Sequence, residues 1–298
     1  MTALKLNIDS LQFSGSGIME EFKPSGPIPA VLSSLKSKFK YQSPPSDLTT
    51  PKGYDRYEYR VFVVFENFLQ PHSKISIEEA SDSVVGIFPV GHLDLSPINS
   101  VCLDLAEQIP YTHPSLVKLS RLLWMIGRNK RRVINSGQKD VAIAIQSFYQ
   151  GLAEDLRDNL CDPGADDSDP ARFVNYEAFQ AHIMDSGMWL PSLDGAMGTI
   201  EQAFEESHKG ESPQIQDAWV LGAAQHILWS GQTLFKLLLW PRNEESIFSD
   251  REVALRKWHT WRDEFRKVSG DDGRGEECRG VSKRVVDIME ALEKGMVF

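Results

Sequence analysis

The chain has little of what marks secreted, metal-binding or nucleic-acid-binding proteins. Its three cysteines, Cys102, Cys161 and Cys278, are too few and too scattered for a disulfide framework, and they share no metal-ligand spacing. No Asn-x-Ser/Thr sequon occurs, and the opening MTALKLNIDSLQFSGSG has no basic segment followed by an apolar run. A reducing, cytoplasmic setting without a secretory signal is the expectation. Positive charge is also scarce. Lys and Arg number 32 against 42 Asp and Glu, a formal charge of −10, which disfavours nucleic acid as a partner. The nucleophile elbow, the phosphate loop, the dinucleotide fingerprint and the H-E-x-x-H pair are all missing, so no cofactor and no metal is expected.

Long hydrophobic runs are almost absent. One stretch of eighteen residues, 218–235, carries no formal charge, close to the lower limit for crossing a bilayer. It contains Gln225, His226, Ser230, Gln232 and Thr233, each costly in hydrocarbon, so it is read as a buried core helix and no membrane partner is expected.

Composition divides the chain. Residues 1–50 hold nine Ser and five Pro with little periodicity. Such a stretch buries too little apolar area to offset its chain entropy. Residues 1–53 are therefore expected to form a mobile, disordered arm with one short helix near Val31–Phe39. Residues 54–298 are expected to form a single all-α domain.

Strand-like alternation bounded by turns is missing, and about ten helices are predicted, as antiparallel hairpins packed around a long central helix. Ser76 with Glu79 three residues on forms a capping box, and Pro97 and Pro114 fall in first helical turns. The segments KRRVINSGQKD and CDPGADDSDPAR are expected to be long loops.

The predicted central helix spans Ser212–Trp240. At 100° per residue, Trp219, Gly222, His226, Trp229, Ser230, Thr233, Leu237 and Trp240 share one broad face. Indoles, a hydroxyl, an imidazole and close-approach glycines suit an apolar pocket with a few polar anchors. The candidate pocket residues are Trp219, Gly222, His226, Trp229, Ser230, Thr233 and Trp258, the last from the helix ALRKWHTWRDEF. His226 is the one candidate for proton transfer, and no catalytic set is defined. The same residues also fit plain core packing, and both readings stand at this stage. His182 and His259 are read as structural or solvated.

Other clusters carry less. Asp166, Asp167 and Asp169 lie between Pro163-Gly164 and Pro170, which predicts a solvated loop and not an aspartate-rich metal box. GDDGRGEECRG follows no strand and reads as a linker. RNKRR, Arg128–Arg132, reads as a helix end whose cations suit the dipole, in preference to a phosphate site.

Four segments in order, YTHPSLVKLSRLLWMIG, FVNYEAFQAHIM, AWVLGAAQHILWSGQTLF and WHTWRDEFRKVSG, resemble a fungal family of all-helical proteins catalogued as a domain of unknown function. The resemblance spans roughly Ile75 to Leu292. It implies a fungal source, an all-helical intracellular domain and a setting in secondary metabolism, and it carries over no catalytic residue. The segment Lys130–Gln138 departs from the proline-rich connection the family leads one to expect.

Two functions from different classes follow. In the first, the chain binds an apolar small molecule in a helix-lined pocket, with a cofactor-free cyclisation or isomerisation as the step it would support. In the second, it is a non-enzymatic helical-hairpin module that binds a protein partner.

Overall fold

A computed structural model describes residues 3–9, 50–51, 55–89, 95–159, 162–165, 169–188, 194–240 and 250–296. Among these, eleven helices and no strand are found. They are α1 (Arg56–Leu69), α2 (Ile77–Ile87), α3 (Ser96–Gln108), α4 (Ser115–Arg128), α5 (Lys130–Asn135), α6 (Val141–Asp158), α7 (Pro170–Asp185), α8 (Asp194–Glu205), α9 (Pro213–Leu239), α10 (Arg251–Ser269) and α11 (Glu276–Met296).

Local chemistry sets the boundaries. The Ser76–Glu79 capping box is present, with Ser76 Oγ accepting from Glu79 N and Glu79 Oε2 accepting from Ser76 N. Ser212 caps α9 by accepting from Ile215 N, and Pro213 occupies the first turn, where its missing N–H costs nothing. The acidic stretch before α7 ends in such a cap: Asp169 accepts from Ala171 N. Asp166 and Asp167 lie outside the described residues, as does the short helix expected near Val31–Phe39.

Two expectations need correction. The segment after Arg128 is not a long loop, because Asn129 accepts from Arg131 N and Arg132 N and starts α5. Residues 3–9, assigned to the mobile arm, are seated on the domain. Gln70 accepts from Leu4 N and donates to Leu4 O, and Gln108 does the same for Asn7. Leu6 and Ile8 are buried beneath these clamps.

Two hydrophobic clusters make the core. The first joins Leu6 and Ile8 to α1–α4 and α6, and the second is built from α8–α11. Helix α7 belongs to both. Tyr176, Ala178, Phe179 and Ile183 face the first cluster, and Phe173, Val174 and Met184 face the second. A helix covered on two sides has no solvated face for its polar residues, and Asn175, Glu177, Gln180 and His182 are all buried. Helix α9 packs against α7, α8, α10 and α11, so it is central to the second cluster, while α7 ties the two clusters together.

Candidate functional site

The contact between α7 and α9 depends on a missing side chain. A Cβ on Gly222 would overlap the Phe173 ring and lie 3.2 Å from Glu177 Cγ. Glycine therefore lets the two helices close over a polar pair, one turn along from Gly222. His226 Nε2 lies 2.6 Å from Glu177 Oε2, with side-chain exposures of 2% and 1%. Thr199 Oγ1 on α8 donates to the same carboxylate oxygen at 3.1 Å, and Gln180 Nε2 donates to Oε1 at 3.3 Å. Both oxygens of Glu177 are thus occupied, as burial of a carboxylate requires.

We assign the Nε2–H tautomer to His226, since the carboxylate is an acceptor. Its Nδ1 is buried without a partner.

Glu177 and Thr199 form part of the wall of a cleft of about 470 Å³. Phe173, Gly195 and Gly198 supply its apolar surface, and Asp162, Glu201, Glu205 and Glu206 add four more carboxylates. Lys257 on α10 pairs with Glu201 at 3.0 Å and with Glu205. One cation against five carboxylates leaves the cleft negative. Among the described residues, no three His, Cys, Asp or Glu side chains group as metal ligands.

The residues singled out in the sequence are spread over several environments. Gly222 and His226 adjoin Glu177. Trp219 packs behind the cleft, edge-on to Phe173 at 5.0 Å and stacked on His208 at 5.0 Å. Trp229 is 41% exposed and stands 4.6 Å from His182. Ser230 Oγ donates to His226 O within the helix, and Thr233 is half-buried. Trp258 is fully buried against Phe235 in the second cluster, with its Nε1 unpartnered. None of Trp219, Gly222, His226, Trp229, Ser230, Thr233 and Trp258 is in the lining of the cleft, which Gly222 and His226 reach only through their contacts with Glu177. The acidic partner Glu177 escaped sequence reasoning, although it lies in the FVNYEAFQAHIM segment that carried the family resemblance.

The fold and the site together define an all-helical domain with a buried carboxylate–imidazole pair under an acidic cleft. A family model described as "Protein of unknown function (DUF3632)" matches residues 100–265, and the chain belongs to that family. The matched span runs from within α3 to within α10 and includes Glu177, Thr199 and His226. No curated protein and no solved structure matches the chain. No helix among the described residues is long and apolar enough to cross a membrane.

Proposed function

We propose that the chain binds a small organic molecule in the cleft between α7 and α8, over the Glu177–His226 pair. The observation that carries this reading is the placement of a nearly inaccessible carboxylate, held by an imidazole and a hydroxyl, in the wall of a cleft large enough for a ligand. The lining supports a narrower choice of ligand. Phe173 offers an apolar face, while Asp162, Glu205 and Glu206 favour positive charge, so the ligand is an amine with an apolar body.

The chemistry the pair supports is proton transfer. Glu177 can take a proton from one atom of a bound molecule and return it to another, while the Nε2–H of His226 holds the carboxylate in position. That is an isomerisation or cyclisation without a cofactor, with Glu177 as base and then as acid. In keeping with the setting the family resemblance implies, we assign this step to the cytoplasm of a fungal cell and to secondary metabolism.

Calorimetric titration of the full chain with 2-phenylethylamine tests the binding. The expected result is saturable binding that weakens as salt is raised and is lost in Gly198→Leu. Gly198 lines the cleft, and a Cβ there meets no atom within 4 Å. Equal binding by the native chain and Gly198→Leu would remove the cleft as the site.

A protein-binding role rests on a different observation. Ile134, Val141 and Ile143, on α5 and the first turn of α6, are all about half exposed, at 46%, 56% and 51%. Retention of this helical-hairpin corner by a protein partner is the second reading.

A further inference from the structure

A second cavity, of about 440 Å³, lies on the opposite cluster between α2, α3, α5 and α6. Its apolar wall comes from Val85, Phe88, Ile98 and Phe148. Arg132, from the basic run after α4, lines the same cavity and is only 5% exposed. Its guanidinium is fixed in place. Nε donates to Gly127 O at 3.1 Å, and Nη2 donates to Gly127 O at 2.5 Å and to Ala144 O at 3.1 Å. The plane also rests 5.1 Å from the Phe148 ring centre.

Two features of Arg132 are unusual for a buried cation. It pairs with no carboxylate among the described residues, its fixed acceptors being backbone carbonyls. Among the described residues its hydrogen bonds run from Nε and Nη2, and none runs from Nη1. A buried charge is normally paired, and a guanidinium offers five N–H donors in a fork suited to an oxyanion. The two carboxylates of the cavity do not fill this role. Asp155 accepts from Asn99 Nδ2, and Glu154 lies exposed beside Gln150.

We propose that this cavity is a binding site for an apolar carboxylate, whose oxyanion bonds Arg132 Nη1 and whose hydrocarbon body rests on Val85, Phe88, Ile98 and Phe148. The carboxylate supplies the counter-charge that Arg132 lacks. The preorganised guanidinium loses little freedom on binding, so the contact discriminates between an acid and a neutral isostere. The cavity is separate from the Glu177 cleft and calls for the opposite ligand charge.

Saturation-transfer nuclear magnetic resonance on the full chain, with 3-phenylpropanoate as probe and 3-phenylpropan-1-ol as its neutral isostere, tests the proposal. The native chain is expected to bind the acid at least tenfold more tightly than the alcohol. Arg132→Gln should abolish that preference. Because Arg132 also holds two backbone carbonyls, Gly151→Leu provides a variant that keeps them. Gly151 lines the cavity, and a Cβ there meets no atom within 4 Å, so leucine at this position is expected to occupy cavity space. Gly151→Leu is expected to keep its melting temperature and to lose at least tenfold in affinity for the acid. Absence of saturable binding to the native chain, equal affinity for acid and alcohol, or undiminished binding by a folded Gly151→Leu would each overturn the proposal.

Discussion

Glu177 on α7 and His226 on α9 hold one another at 2.6 Å with both side chains shut off from solvent, beside the point where Gly222 lets their helices meet. A buried pair of this kind is unforgiving of single changes. Glu177→Ala or His226→Ala strands one polar partner and is expected to cost about 3–5 kcal/mol in chemical denaturation. The double variant should cost less than the two single losses added, because neither partner is then left alone. Strict additivity would mean that the pair does not interact as described.

The close approach itself can be tested at Gly222. Alanine there would press on Phe173 and on Glu177 Cγ at 3.2 Å, and we expect a loss of about 1–3 kcal/mol. Gly280→Ala, on α11 with nothing within 4 Å of the added carbon, is the control and should stabilise by about 0.4–1 kcal/mol. The contrast in melting temperature between the two variants isolates the packing effect from helix propensity.

Acid should weaken the fold through His182. Burial, with help from Arg121, pushes its folded value from 6.5 down to about 4. The folded chain therefore keeps this imidazole neutral beside Trp229, where the unfolded chain would charge it. The contribution is complete above pH 6.5 and is lost as the pH falls toward 4, to a limit of about 3 kcal/mol. His182→Gln should flatten the stability–pH curve in that window, as read from denaturation midpoints. An unchanged slope would contradict the assignment.

Glu58 acts in the other direction. Burial, and then the neighbouring Asp55, raise its carboxyl from 4.5 to about 7, and its Oε2 has no partner. A raised carboxyl favours the folded state below pH 4.5, and that contribution disappears as the pH climbs through 7. Glu58 is partly open to solvent, so Glu58→Gln is expected to stabilise by about 1 kcal/mol or less at pH 8, with no gain at pH 4.

The helices were largely legible because periodicity, proline positions and caps all act locally. Ser76, Pro97 and the apolar girth of α9 each stated a boundary or a depth that the structure shares. The seat of residues 3–9 was not legible, since it depends on Gln70 and Gln108, far away in sequence, clamping Leu4 and Asn7. Helix α5 was hidden because its cap, Asn129, sits inside a basic run that reads as a helix end. The cleft lining was not legible, and the sequence pointed only to neighbours of Glu177. His226 and Gly222 stood out on an apolar helix, whereas Glu177 sat on α7, which is covered on both sides and shows no amphipathic stripe to mark an acid as buried. The indoles drew attention through their type, but Trp229 is partly exposed and Trp258 is buried in the second cluster, and neither is in the cleft lining.

The account rests on the cleft over Glu177 and His226 being a place where a ligand sits. A crystal structure of the full chain soaked with 2-phenylethylamine tests this most directly. The predicted result is the ring against Phe173 and the ammonium among Glu177, Thr199 and the α8 carboxylates. Density for the amine elsewhere on the molecule, or a cleft filled only by ordered water at saturating amine, would contradict it.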